Sequence, residues 1–233
     1  MAYGFSSLNT DGLIQIDDNF SNLAVIESGS WVQASYSTWS IQIDENSLYF
    51  LRASSAGHYV SAYTSLGNNG LFYLNVHLTI PNSGGDGIVE YIRCKPSFRV
   101  LTTPPSTGYG LNVMRADGNL AFSSELVTPQ ITNVISLNSS GLDLNGDVSY
   151  TYTLNPVLAN KKRYFGANSL TTIGVLVWSP DFGETMYDSG VMLSAASINS
   201  SQISVKCCTD YIWGPVYLSD RRDMLNQLLI VEF

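Results

Sequence analysis

Gly70–Ile80 reads GLFYLNVHLTI, and its reading decides the fold class. Successive side chains of an extended chain point to opposite faces. Leu71, Tyr73, Asn75, His77 and Thr79 therefore share one face, and Phe72, Leu74, Val76, Leu78 and Ile80 share the other. The second set is wholly apolar, which predicts a strand with that face on a core. The flanks, Asn68-Asn69-Gly70 and Pro81-Asn82-Ser83-Gly84-Gly85, are turn formers that bound it on both sides.

The same grammar extends outward in both directions. Leu23 to Glu27 and Trp31 to Gln33 read as short strands punctuated by Gly29, followed by Ser40 to Ile43, Ser47 to Arg52 and Tyr59 to Tyr63. Ile88 to Arg93, Phe98 to Thr102 and Ile131 to Leu137 continue the pattern, with an exposed, proline-bearing connection over Thr103 to Gly108. Val148 to Leu154, Thr172 to Trp178, Gly190 to Leu193, Ile203 to Cys208, Tyr211 to Leu218 and Leu228 to Phe233 complete the set. Asp220 to Leu229 suits one or two helical turns, and no amphipathic helix of ordinary length is visible. Turn signals recur roughly every ten residues, the spacing of sandwiches and barrels. The expectation is an all-β protein, a jelly-roll-like β-sandwich of many short antiparallel strands with little helix. Composition turns small and polar at Asn138, which divides the chain into a β-sandwich domain over 1–137 and a second β region over 138–233, packed on or interleaved with the first.

Two hairpins frame the first half. Tyr3 to Phe20 and Tyr109 to Leu126 can be laid over one another without a gap. Tyr3-Gly4 then falls on Tyr109-Gly110, and Asp11-Gly12 on Asp117-Gly118. Leu8, Ile14 and Ile16 fall on Met114, Leu120 and Phe122. Asp-Gly between apolar runs is a strong hairpin signal, because Gly accepts positive φ and Asp bonds its own backbone.

Charged residues make up 13% of the 233, about half the usual quarter. The surface is therefore built from Ser, Thr, Asn, Gly and Tyr, as in proteins that pack into assemblies or meet glycans. The net charge of −8 argues against nucleic acid and against docking on an anionic membrane, since the cluster Lys161, Lys162, Arg163 and the pair Arg221, Arg222, the latter flanked by Asp220 and Asp223, are the only basic groupings. Cys94 and the adjacent Cys207 and Cys208 form no metal-ligand spacing and read as small buried residues. The first residues have neither a basic segment nor an apolar run, so no secretory signal is expected, and no apolar run is long enough to span a membrane.

Sites of chemistry are sparse. Asp143, Asn145 and Asp147 open like a calcium loop, but Val148 and Leu154 stand where glycine and a bidentate carboxylate are needed. His58 and His77 lack partners at metal spacing, and neither a nucleophile elbow nor a phosphate loop occurs. No catalytic residue, metal or cofactor is expected. Two aromatic groups stand out: Trp31, Tyr36 and Trp39 after Gly29, and Tyr211, Trp213 and Tyr217 around Gly214-Pro215. Alternating Tyr and Trp can make a platform for sugar rings or a partner. The second group, next to its Gly-Pro loop, is the better exposed candidate for receptor or partner binding.

Tyr3-Gly4, Asn9, Asp11-Gly12, the IQID of Ile14 to Asp17, Asn22-Leu23 and Ser28-Gly29-Ser30-Trp31 resemble the N-terminal signature of small virion proteins of tailed bacteriophages. Tyr109-Gly110-Leu111 through Asp117-Gly118 to Phe122-Ser123-Ser124 is similar to a recurrent motif of the same proteins, with Ser123 where an Asp is common. The resemblance covers about a quarter of the chain, and nothing from Asn138 onward takes part in it. It implies a non-enzymatic structural component of the tail tip, baseplate accessory or tail fibre type, made in the host cytoplasm and resident in the virion. Other tail proteins would be its partners, and it would sit there in several copies as a homo-oligomer. A role in host attachment through a surface glycan is compatible with this. The alternative is a carbohydrate-binding β-sandwich module using a Tyr/Trp platform. On the virion reading the half before about residue 137 is expected to attach, and the rest to carry recognition loops with Tyr211, Trp213 and Tyr217.

Overall fold

The computed structural model describes residues 6–8, 14–17, 22–44, 46–81, 85–101, 110–138, 149–157, 160–167, 172–175, 190–198, 201–209 and 225–233. In chain order the strands are β1 (Ser6–Leu8), β2 (Ile14–Asp17), β3 (Leu23–Ala34), β4 (Ser37–Ile43), β5 (Leu48–Ala53), β6 (Tyr59–Leu66), β7 (Phe72–Thr79) and β8 (Asp86–Pro96). One helical turn, α1 (Ser97–Val100), precedes β9 (Asn112–Met114), β10 (Leu120–Ser123), β11 (Gln130–Asn138), β12 (Ser149–Thr153) and β13 (Arg163–Gly166). Then come β14 (Thr172–Val175), β15 (Gly190–Ile198), β16 (Gln202–Thr209) and β17 (Leu225–Glu232).

The strands form two large antiparallel sheets. One has six strands in the order β11-β17-β13-β5-β8-β3; the other has seven, β12-β16-β15-β6-β7-β4 with β14 also on β15. A single core joins them. Leu51, Val89, Phe165 and Ile230 come from the first sheet and Val60, Leu74, Val76, Leu78, Ile203 and Val205 from the second, all buried in one cluster. Two sheets burying one shared apolar layer make a sandwich. Strands from before and after residue 137 lie in both sheets, so a cut there would split each of them.

The apolar face of Gly70–Ile80 is the core face expected: Leu74, Val76 and Leu78 are fully buried. On the opposite face Asn75, His77 and Thr79 are buried as well. β7 lies between β4 and β6, and both neighbours meet the Asn75 amide. Ser40 Oγ donates to Asn75 Oδ1 at 2.7 Å, and Asn75 Nδ2 donates to Ser65 Oγ at 2.7 Å. Buried amides persist only when bonded in this way.

Three further expectations change. Gly29 does not interrupt a strand: β3 runs through it for 12 residues, with a register shift between Val25 and Glu27. Of the expected strand Phe98 to Thr102, Phe98 to Leu101 is not strand, and Thr102 lies outside the described residues. Ser97 to Val100 turns once as α1, held where Ser97 N and Oγ both donate to Asn22 O. Residues 225–229 are strand rather than helix, because β11 pairs along all of them, while β13 joins β17 further on at Ile230, Val231 and Glu232.

The two hairpins stand apart from the large sheets as two-stranded pairs, β1 with β2 and β9 with β10. Their registers agree residue for residue under the ungapped overlay. Ser6↔Asp17, Ser7↔Ile16 and Leu8↔Ile14 correspond to Asn112↔Ser123, Val113↔Phe122 and Met114↔Leu120, and the irregularity falls at the same place. Gly118, with φ of 81°, makes the second turn, and Asp117 Oδ1 accepts from Asn119 N at 3.0 Å. Asp11-Gly12 lies outside the described residues. β2 and β10 lie against each other.

Candidate functional site

At one margin the sandwich ends on β3 and β4, the edge strands of the two sheets. Only Ser35 and Tyr36 join them, and the link is pinned where Tyr36 N donates to Leu78 O at 2.8 Å and Ser35 N to Gly85 O at 3.0 Å. The chain thus crosses from one sheet to the other in two residues. The inward faces of β3 and β4 then oppose each other across an open cleft of about 300 Å³.

Glu27, Trp31, Tyr91 and Arg93 line it from the six-stranded sheet, and Trp39 and Ile41 from the other. Glu27, Gly29, Trp31 and Gln33 share one face of β3 by the period of two. Their cross-strand partners on β8 are Arg93, Tyr91, Val89 and Gly87. Trp39 and Ile41 enter from β4, opposite Val76 and Leu74. The Trp31 and Trp39 rings lie 6.3 Å apart at 25°, and Trp31 and Tyr91 lie 5.4 Å apart. Trp39 is 49% exposed, an unusual position for a large aromatic.

Trp31 and Tyr91 are each held by a polar contact. Gln33 is buried; its Oε1 accepts from Trp31 Nε1 at 2.9 Å, and its Nε2 donates to Ser37 O at 2.6 Å and Val76 O at 3.0 Å. The Tyr91 hydroxyl donates to Glu27 Oε1 at 2.5 Å. That bond holds the phenol proton, and the Tyr91 pKa is pushed up to about 12. Arg93 donates to Ser47 Oγ at 3.0 Å, Asp44 Oδ2 at 2.8 Å and Glu27 Oε2 at 3.4 Å. Asp44 also meets Lys95 Nζ at 2.8 Å. The Lys95 hydrogen bond, with help from Ser47 and Asn46, holds the Asp44 carboxyl well below the usual carboxylate range.

Gly29 has a physical reason to be glycine. A Cβ there would lie 2.9 Å from Tyr91 Cε1 and 3.1 Å from its hydroxyl oxygen. Gly29→Ala is therefore expected to push the Tyr91 ring off Glu27. The raised phenol should then fall back toward an ordinary value of about 10. An absorbance titration of tyrosinate against the unmodified chain reads this, and an unchanged high-pH step would contradict it.

The sequence reading named Trp31, Tyr36 and Trp39. The structure brings Trp31 and Trp39 together, while Tyr36 sits in the link with a positive φ of 60° and is 57% exposed. Glu27, Gln33, Tyr91 and Arg93 were missed. Glu27 and Gln33 carried a local signal, since they lie two or four residues from Trp31; the β8 residues had none. The favoured candidates, Tyr211, Trp213 and Tyr217, lie outside the described residues, as do Asp143, Asn145 and Asp147. The Lys161, Lys162, Arg163 cluster is dispersed: Lys162 pairs with Glu90 at 2.9 Å, while Arg163 is buried against Glu232. His77 Nδ1 lies 3.4 Å from Thr38 Oγ1, and Cys94 is buried, its thiol pushed up to about 12 by desolvation. Among the described residues no group of three or more His, Cys, Asp or Glu side chains is placed to hold a metal ion. No described helix is long and apolar enough to cross a membrane.

No family model matches the chain, and neither a curated protein nor a solved structure matches it.

Proposed function

We propose that this chain is a non-enzymatic structural component of a bacteriophage tail tip or tail fibre, present in several copies, that contributes to recognition of the host surface. The observation that carries the reading is the pair of hairpins. The two stretches that resemble tail-protein motifs share one register and lie against each other outside the large sheets. A duplicated unit set beside a rigid sandwich is suited to docking on neighbouring tail proteins or on further copies around a symmetry axis. The low-charge, hydroxyl-rich composition accords with such packing. Mass spectrometry of purified virions of the phage that encodes the chain is expected to find its peptides at several copies per particle. Their absence would end the reading.

A second reading, a free carbohydrate-binding module, is favoured by the Trp31–Trp39–Tyr91 cleft. The two differ in assembly. A free module is a monomer that is retained on a glycan column by itself, whereas a tail part oligomerises or needs a partner.

A further inference from the structure

We propose that the cleft between β3 and β4 is a saccharide-binding subsite, in which Trp31 and Trp39 carry the ring of a sugar and Glu27 and Arg93 take its hydroxyls. This deepens the host-surface recognition proposed above and rests on that reading only for where the glycan comes from.

A sugar ring presents an apolar C–H face and a rim of hydroxyl groups. It therefore needs an aromatic surface beside ordered polar groups, and the cleft has both. Trp39 leaves half of its surface in solvent, and Trp31 lies beside it at a shallow angle of 25°. Indole rings in this arrangement make an extended apolar wall. The Trp31 N–H already serves Gln33, so the ring meets a ligand with its carbon surface.

The polar groups are fixed before any ligand arrives and have bonding capacity left. Glu27 accepts one bond from Tyr91 and one from Arg93, while a carboxylate can accept about four. Arg93 gives Nε to Ser47, one Nη2 hydrogen to Asp44 and one Nη1 hydrogen to Glu27; a guanidinium has five N–H groups. Groups ordered in advance cost little further entropy on binding.

Charge narrows the ligand class. Glu27 and Arg93 neutralise each other as cross-strand neighbours on one wall of the cleft, 3.4 Å apart, so neither sign of ion is favoured. A quaternary ammonium, which aromatic walls can also hold, would meet the Arg93 guanidinium. A phosphate would meet the Glu27 carboxylate. A purely apolar ligand would strand both ions without water. A neutral polyhydroxyl ring satisfies all four groups. The volume of about 300 Å³ is at the small end of ligand sites, which suits a terminal sugar or a short segment.

The test uses the full chain. Binding is screened on an array of oligosaccharide fragments of bacterial lipopolysaccharide and wall polysaccharide, and a bound fragment is then titrated by tryptophan fluorescence. At least one fragment is expected to bind and to shift the emission. Trp39→Ala should weaken it by about tenfold or more, the size of one lost aromatic contact, with the melting temperature nearly unchanged because Trp39 is half exposed. Glu27→Gln keeps shape and removes only the charge; it should weaken binding with the fold intact, and it serves as the test if Trp39→Ala fails to fold. The proposal is overturned if no fragment binds, if both variants bind as the parent does, or if choline chloride shifts the emission and no saccharide does. Finding the chain in virions without saccharide binding would defeat the subsite and leave the tail reading standing. Binding by a chain absent from virions would do the reverse.

Discussion

Phe165→Ala is expected to lower the free energy of unfolding by about 3–5 kcal/mol, the usual cost of deleting a buried phenyl ring. Phe165 is fully buried in the main core. It pairs with Leu51 on one side and with Ile230 on the other. β13, only four residues long, is the link between the β11–β17 pair and β5, β8 and β3. The cavity therefore opens where the two halves of the chain are sewn into one sheet. Urea unfolding should show one cooperative transition with its midpoint moved down and its slope unchanged. Two separate transitions, only one of them shifted, would mean that the halves fold independently. A loss below about 1 kcal/mol would mean that the site repacks.

Arg163→Leu should cost a comparable amount, about 3–5 kcal/mol, for a different reason. Arg163 Nε donates to Glu232 Oε1 at 2.9 Å, and the two side chains are 2% and 0% exposed. Arg163 Nη2 also donates to Asn155 O. Removing the guanidinium leaves a carboxylate in the interior with its main partner gone, and desolvation then dominates. The double variant Arg163→Leu, Glu232→Leu removes both charges and should regain most of the loss, because apolar replacement of a whole buried pair is often neutral. Lys162→Ala is the control: Lys162 is 58% exposed at its pair with Glu90, and such pairs contribute about 0–1 kcal/mol. Thermal melts of the four proteins separate these cases. An Arg163→Leu variant as stable as the parent, or a double variant as unstable as the single one, would show that the pair does not hold β13 to β17.

Strand existence was legible because it is a local property. The alternation in Gly70–Ile80 and in Val148 to Leu154 needs only the period of two, and short apolar runs between turn formers placed β5, β6, β11, β16 and β17 near their observed positions. The Asp-Gly overlay went further, since two stretches with one pattern also adopt one register. Local reading failed where a distant residue decided the outcome. Gly29 looked like a break, but the Tyr91 ring across the strand needs the space that a Cβ would fill. Residues 225–229 looked partly helical, but β11 pairs with every one of them, and tertiary pairing overrides weak helical preference.

The sequence by itself determined that the chain is all-β, which faces of its strands are apolar, and that two of its hairpins repeat, because these depend on neighbours one to four residues apart. Only the tertiary structure decided the rest. The order of strands in each sheet joins residues as distant as Arg163 and Glu232, and the cleft joins β3 and β4 to β8. Whether an aromatic lies in a core or at its open edge depends on which strand ends the sheet. Trp31 and Trp39 line a cleft because β3 and β4 are edge strands joined by two residues. No local pattern encodes an edge, since an edge is defined by the strand that is not beside it.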